Sequence, residues 1–391
     1  MKAQLLALMT SVSLFCTNSR VLAGPWSTQP LIGVAAEYAS NPELAAFGTR
    51  SETHAAVFVD LPVNYDLDKV HFSVIPRIRY GGASGYSSLT SNYYHLDASA
   101  QFTDEFGSLT YTGAQYRDSS LLYAGELANG IGVRRDTSTA DVNWQRAISE
   151  RLQFQLDANT ARTLYAQNTA QTSLVDYRYS SLSPALGYTV NERDTLRVIG
   201  SVGRYKSLNG FTDSDSDNLQ LGFDHQLTEL WKLTATAGYS KSINRYHYFF
   251  GTFSSTQTGG VYSANLSRQS DVLTVSAGAT RALTPTGYAF LSRQDTVNAS
   301  ANYNYSERWT FGASATWQNV ADPVVTGGTS RRRFYNADVS ASWRWTEQWT
   351  LTLHVSRLGQ QYTAQLGRPP VNPTSNDVRF QISRQFYRTN R

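Results

Sequence analysis

The sequence predicts an all-β chain folded as a transmembrane, antiparallel, up-and-down β-barrel of about 18 strands (16–18), with short turns at one end and longer loops at the other. Three observations predict it. Apolar and polar residues alternate with period two in segment after segment. Short acidic turns recur at a near-constant interval. Aromatic residues mark the ends of the alternating segments although the mean hydropathy is only −0.38.

Residues 307–317 display all three. In an extended chain Trp309, Phe311, Ala313, Ala315 and Trp317 share one face, while Thr310, Gly312, Ser314 and Thr316 share the other. At roughly 3.3 Å per residue and a tilt near 45°, the two tryptophans stand about 20 Å apart along a barrel axis, close to the height of an outer-membrane apolar band. Glu307-Arg308 is the tight turn before the strand. A soluble sandwich strand alternates too, so the recurrence decides between the two. Turns centred on Asp66, Asp104, Glu150, Glu192, Glu229, Asp271, Glu307 and Glu347 lie 36 to 46 residues apart, and each interval holds one strand up, a loop and one strand down. Eight such turns join sixteen strands, and a first and a last strand make eighteen.

In chain order, Lys2, the apolar run from Leu5 to Phe15 and Val21-Leu22-Ala23 read as a signal peptide over residues 1–23, leaving one barrel domain over 24–391. Phe15 is too bulky to precede a lipidated Cys16, and cleavage at Ala23 leaves no cysteine for a disulfide framework or a metal site. The formal charge of +4 falls to +2 without Lys2 and Arg20, which gives no support to a nucleic-acid partner. Arg331-Arg332-Arg333 reads as a solvated loop tip.

The first strand carries Ile32, Val34, Ala36 and Tyr38 outward, the second Ala55, Val57, Val59 and Leu61, and the third Val70 to Tyr80 with a bulge expected at Pro76. Later strands keep the pattern, with Leu152 to Ala158, Leu219 to His225, Trp231 to Tyr239, Val297 to Tyr305 and Tyr335 to Trp345 supplying alternate apolar residues. Many of these are alanines, which suit acyl chains better than a packed core. Trp231, Tyr239, Tyr305, Trp309, Trp317, Trp343, Trp345 and Trp349 form the expected aromatic girdles. Long loops are expected over 117–135, 164–173, 204–215, 242–258, 320–334 and 359–375, none long enough for a folded plug. The final strand from Val378 to Tyr387 carries aromatics near its end and resembles the signal read by the barrel assembly machinery, a partner during biogenesis, although most such chains stop on the aromatic and this one adds a tail at 388–391.

With apolar residues outward, the lumen is polar and of mixed charge. Its lining candidates are Arg77, Arg79, Asp97, Asp157, Arg197, Asp224, Asp338, Arg344 and Arg379, which either line a wet bore or brace its wall in pairs. Eighteen strands enclose more than side chains alone can fill. Tyr246, Tyr248, Phe249 and Phe250 offer a glycan-stacking loop or the upward continuation of a girdle. The histidines show no metal spacing and no nucleophile elbow, and His95 with Asp97 is the best acid-base pair. No catalytic residue, metal or cofactor is expected.

The leader followed by Leu31-Ile32-Gly33-Val34, the Glu-Arg-Trp and Glu-Gln-Trp turns and the short strands resemble the porin-like outer-membrane barrels of Gram-negative exopolysaccharide export loci, over nearly the whole mature chain. The resemblance implies passage of a secreted polysaccharide, with outer-membrane lipid and a periplasmic export protein as partners. A general or nutrient diffusion porin is the alternative, and a structural or adhesive barrel with a closed bore is a third. Diffusion porins commonly narrow the bore with one long inward loop, and the absence of such a loop tilts the expectation toward a wide conduit.

Overall fold

The computed structural model describes residues 26–42, 44, 49, 51–83, 92–119, 133–166, 174–323, 329–362 and 372–386. The leader expected over 1–23 and the tail at 388–391 lie outside them. The described residues build one closed antiparallel sheet of eighteen strands. These are β1 (Trp26–Thr28 continued by Leu31–Ala39), β2 (Glu52–Asp60 continued by Val63–Leu67), β3 (Val70–Ala83), β4 (Tyr93–Thr103), β5 (Gly107–Ser119) and β6 (Arg134–Ala147). They are followed by β7 (Leu152–Tyr165), β8 (Tyr177–Thr189), β9 (Asp194–Ser207), β10 (Thr212–Gln226), β11 (Trp231–Tyr248) and β12 (Gly251–Gln269). The last are β13 (Leu273–Thr286), β14 (Phe290–Asn304), β15 (Trp309–Pro323), β16 (Thr329–Arg344), β17 (Trp349–Tyr362) and β18 (Thr374–Gln385). Each strand pairs with its sequence neighbours, and β18 closes on β1 from Leu31↔Gln385 to Ala39↔Asp377, so no edge is left along the membrane-spanning wall.

The acidic turns work through a cap. In every turn but the first, a polar residue at its head accepts amide hydrogens two or three residues on. Asp104 takes those of Phe106 and Gly107, Thr228 those of Leu230 and Trp231, Ser306 those of Arg308 and Trp309, and Thr346 those of Gln348 and Trp349. A short oxygen-bearing side chain reproduces a backbone turn bond in this way, which is why the repeat reads Ser, Thr, Asn or Asp, two residues, then the strand. The first turn sits at 68–69, with Asp66 still in β2.

The bulge expected at Pro76 is absent. Ladder pairing lapses instead where Pro30, Pro62 and Pro76 meet on β1, β2 and β3, and the register is unchanged across the gap, running from Asp60↔Arg77 to Val63↔Val74. Prolines lack the amide hydrogen that a ladder needs, and three of them on adjacent strands remove a row of bonds without adding a residue.

Three of the expected loops are mainly strand. Within 320–334, β15 runs to Pro323 and β16 begins at Thr329, so Arg331-Arg332-Arg333 lie in β16 with Arg332 buried, and are not a solvated loop tip. Within 242–258, β11 and β12 run up to Tyr248 and Gly251 and leave only Phe249-Phe250 between them; within 204–215 the linker is 208–211. The longer connections are 40–51, 84–92, 120–133, 166–176 and 363–373, all at the end opposite the capped turns.

Candidate functional site: the inner wall and its narrowed mouth

Alternation sorts the residues between two faces. Val34, Val57, Tyr80, Leu182, Val198, Leu219, Leu221, Val297 and Val339 are large, apolar and exposed on the outside. Trp309 stacks on Trp343 with ring centroids 5.8 Å apart, Trp349 lies under the guanidinium of Arg384, and Tyr305 and Trp345 are exposed at the same end. Tyr239 and Trp317 stand at the far edge of the belt. Apolar side chains facing out between two aromatic rims are stable only against lipid, and the chain is a membrane-spanning β-barrel.

The inner face is held by charge pairs. Glu37 on β1 is the hub: it accepts from Arg79 at 2.6 Å and Arg379 at 2.9 Å, and His54 lies 3.5 Å away. Asp97 receives Arg77 and sits 2.9 Å from His95. Arg197 meets Asp224 at 2.8 Å, Asp338 meets His354 at 2.5 Å, and Asp157 accepts from Asn143 and from Gln155. All nine lining candidates are thus on the inner face by register, and the sheet brings Arg77 to Asp97 and Arg197 to Asp224. Arg344 stands exposed at the periplasmic end. His95 shares its carboxylate with Arg77, so this pair belongs to the bracing of the wall. Glu37 was not singled out from the sequence. The signal was there in a lone acid on the inward parity of β1, but its partners lie on β3 and β18. At the periplasmic end a polar recess of about 420 Å³ opens between Gln145, Gln155, Arg197, Asp224 and Lys232.

Toward the extracellular end the bore is narrowed. The β13–β14 hairpin leaves the wall: β13 pairs with β12 only up to Arg281↔Tyr262, and β14 pairs with β15 only from Arg293↔Ala321. Between those points the two strands pair with each other alone, and their tip reaches the upper inner wall of β7 to β9. The Tyr205 hydroxyl donates to the Thr286 carbonyl at 3.1 Å, and the Val175 amide donates to the Gly287 carbonyl at 2.7 Å. Leu291 is fully buried in a cluster with Val133, Tyr165, Leu174, Tyr177 and Tyr205. Ala289 turns the tip with φ +73°. Behind the hairpin the inward residues of β10 and β11 are small and polar: Thr212, Ser214, Ser240, Ser242 and Asn244 are all buried. Nearby, Leu44, which follows β1, packs on Val320, Phe334 and Leu358 at the inner wall. The narrowing loop that the sequence did not show exists as a strand hairpin, and the expectation of a wide conduit is revised accordingly.

The four aromatic candidates separate. Tyr246 is buried on the inner face, whereas Phe249 and Phe250 are exposed at the tip of β11–β12. There Tyr248 stacks on Phe250 at 5.4 Å and packs edge-on against Phe211 and Phe253.

Comparison with protein-family models and with curated proteins gives no match. Among solved structures the chain is similar to the ferric citrate transporter FecA in the unliganded form, at 9% identity and TM-score 0.49, over 93% of this chain and 79% of that one. It is similar to the FrpB iron transporter of Neisseria meningitidis at 10% identity and TM-score 0.47, over 93% and 82%, and to OpdK of Pseudomonas aeruginosa with vanillate at 11% identity and TM-score 0.46, over 92% and 98%.

Proposed function

We propose that the chain is a passive outer-membrane channel that admits small polar solutes, its mouth set by the β13–β14 hairpin. The observation that carries this reading is the inward hairpin bonded to the opposite wall through Tyr205 and Val175, within a barrel whose eighteen strands leave aqueous room beyond what side chains fill. The paired charges of both signs along the inner wall argue for weak ion selectivity, since a carboxylate already held by a guanidinium exerts little field on a passing ion. In this reading the nine lining residues face the solute path, and the periplasmic recess is its vestibule.

A second reading, the outward passage of a secreted polysaccharide delivered by a periplasmic export protein, is favoured by the aromatic tip. Tyr248, Phe249 and Phe250 present ring faces above the membrane where an emerging sugar chain could stack, although they also suit any apolar contact. Single-channel conductance of the refolded chain in a planar bilayer tests both. The small-solute channel gives a steady current that glucose and disaccharides do not interrupt and that rises when residues 286–290 are shortened. A current blocked by long polysaccharide fragments in the parent chain, and released from block by Phe249→Ala with Phe250→Ala, favours the second reading. No current from a demonstrably folded barrel rejects both in favour of a structural role.

A further inference from the structure

The geometry points to a binding site for the phosphate groups of an outer-leaflet lipid on the outer wall of β7 to β9, just above the apolar belt. Arg162, Arg178 and Lys206 lie on one rung of three adjacent strands: Arg178 is paired in register with Arg162 on one side and with Lys206 on the other. All three are exposed and point outward, and among the described residues none of their side chains has an ion-pair or hydrogen-bond partner. Like charges directly opposite each other across strands are destabilising, so three consecutive cations are a cost that the fold itself does not recover. Neighbouring strands are about 4.8 Å apart, which spreads the row over about 10 Å.

The carboxylates around the row are engaged elsewhere. Asp136 on β6, diagonal to Arg162, is held by Arg117 at 2.6 Å and lies 3.9 Å from Arg134, and Asp176, two residues before Arg178, accepts the Tyr165 amide hydrogen at 2.8 Å. Asp213, opposite Lys206 on β10, is held by Arg245 at 2.7 Å and by His247 at 2.5 Å. Asp215 is taken by Arg245 at 2.7 Å and lies 3.8 Å from Arg204, the fourth cation of the patch. Asp217 is exposed one rung lower, opposite Val202. The carboxylates of β10 therefore bound the patch without neutralising its row.

Height identifies the occupant. On each of the three strands the cation stands two outward positions above the last apolar residue of the belt, which is Ala158 on β7, Leu182 on β8 and Val202 on β9. Leu182 and Val202 are exposed to lipid, and beside them an outer hollow of about 420 Å³ is lined by Ser180, Leu182, Val202 and Arg204, with Asp215 and Asp217 along its β10 side. A ligand with acyl chains against Leu182 and Val202 and phosphate at the level of Arg178 satisfies both halves of this surface. Guanidinium groups bind phosphate through charge-assisted, often bidentate, hydrogen bonds. The phosphorylated glycolipid of the outer leaflet has that form, whereas free phosphate would use the cations and leave the hollow unfilled.

Native mass spectrometry of the full chain released from detergent micelles tests this, with bisphosphorylated lipid A as the probe. The parent chain retains the lipid, and the triple variant Arg162→Gln, Arg178→Gln, Lys206→Gln binds it at least tenfold more weakly. The variant Arg357→Gln, which removes an exposed cation on β17, away from the row, binds as the parent does. Arg178→Gln alone, at the centre of the row, gives the largest single loss and serves if the triple variant fails to fold. Equal retention by the triple variant, or by Arg178→Gln where the triple variant does not fold, overturns the site. Equal binding of the fully dephosphorylated lipid also overturns it, because acyl contact would then suffice. Displacement of the lipid by inorganic phosphate at comparable concentration would assign the cations to free phosphate and overturn the lipid.

Discussion

Gly107 opens β5 so close to β6 that a methyl group on it would collide with the carbonyl oxygen of Gln145. The clash is with backbone, which cannot swing aside as a side chain could. Gly107→Ala is therefore expected to destabilise the β5–β6 hairpin by about 1–3 kcal/mol, in the range of overpacked sites, and guanidinium-driven unfolding of the refolded barrel measures it. The same turn carries a pH dependence. The amide of Phe106 foremost, then that of Gly107, with Arg146 3.3 Å away, hold the Asp104 carboxyl below its usual range. A carboxylate whose folded value is depressed contributes stability that is complete above the unfolded value near 3.8 and is lost as pH falls through the folded value. Asp104→Asn keeps an acceptor oxygen but no charge, so it should flatten this part of the acid limb. Parallel acid titrations of the two chains followed by circular dichroism show whether the limbs differ.

At the scale of elements, the β13–β14 hairpin is the part that governs passage. A Cβ on Gly287 would stand 2.6 Å from the Tyr165 hydroxyl and 2.9 Å from Leu174 Cδ2. Gly287→Val is thus expected to lift the tip from the far wall while the membrane-spanning sheet stays intact. Tyr205→Phe removes one buried hydrogen bond, about 1 kcal/mol, and loosens the same contact without a clash. Both variants should raise the mean conductance, Gly287→Val more; unchanged conductance in both would show that the hairpin does not set the limiting width. This element was not legible in the sequence, for a physical reason. Within the belt one face meets lipid, so Trp309 to Trp317 or Leu219 to Phe223 spell out a strand and its register. Above the belt both faces meet water or protein, and the alternation fades although backbone pairing continues; 242–258 therefore read as a loop and emerged as a hairpin. The inner wall was legible strand by strand, as Arg77 with Asp97 and Arg197 with Asp224 attest, because each pair joins sequence neighbours in the sheet. Glu37 with Arg79 and Arg379 depends on the closure of β18 on β1, which no local pattern encodes.

At the scale of the whole molecule, exposure has the opposite meaning to that in a soluble protein. Leu221 is 66% exposed near the middle of the outer face of β10, and Gln220 beside it faces inward, accepting from Thr236 at 3.0 Å. On a water-soluble barrel, Leu221→Arg would be among the most harmless of substitutions, usually within about 0.5 kcal/mol. Facing acyl chains near the bilayer midplane, an arginine is expected to cost about 2–4 kcal/mol. Gln220→Glu, one residue away but on the wet side, should cost far less, because its charge stays hydrated and Thr236 can still donate to it. Reversible unfolding by guanidinium from lipid vesicles measures both on one scale. A Leu221→Arg barrel as stable as the parent would mean that the outer face does not meet lipid at that depth, and the membrane belt, the girdles and the lipid-phosphate row above them would fall together. A large loss confined to Leu221→Arg fixes the depth of the belt from the stability of the chain itself, independently of any transported solute.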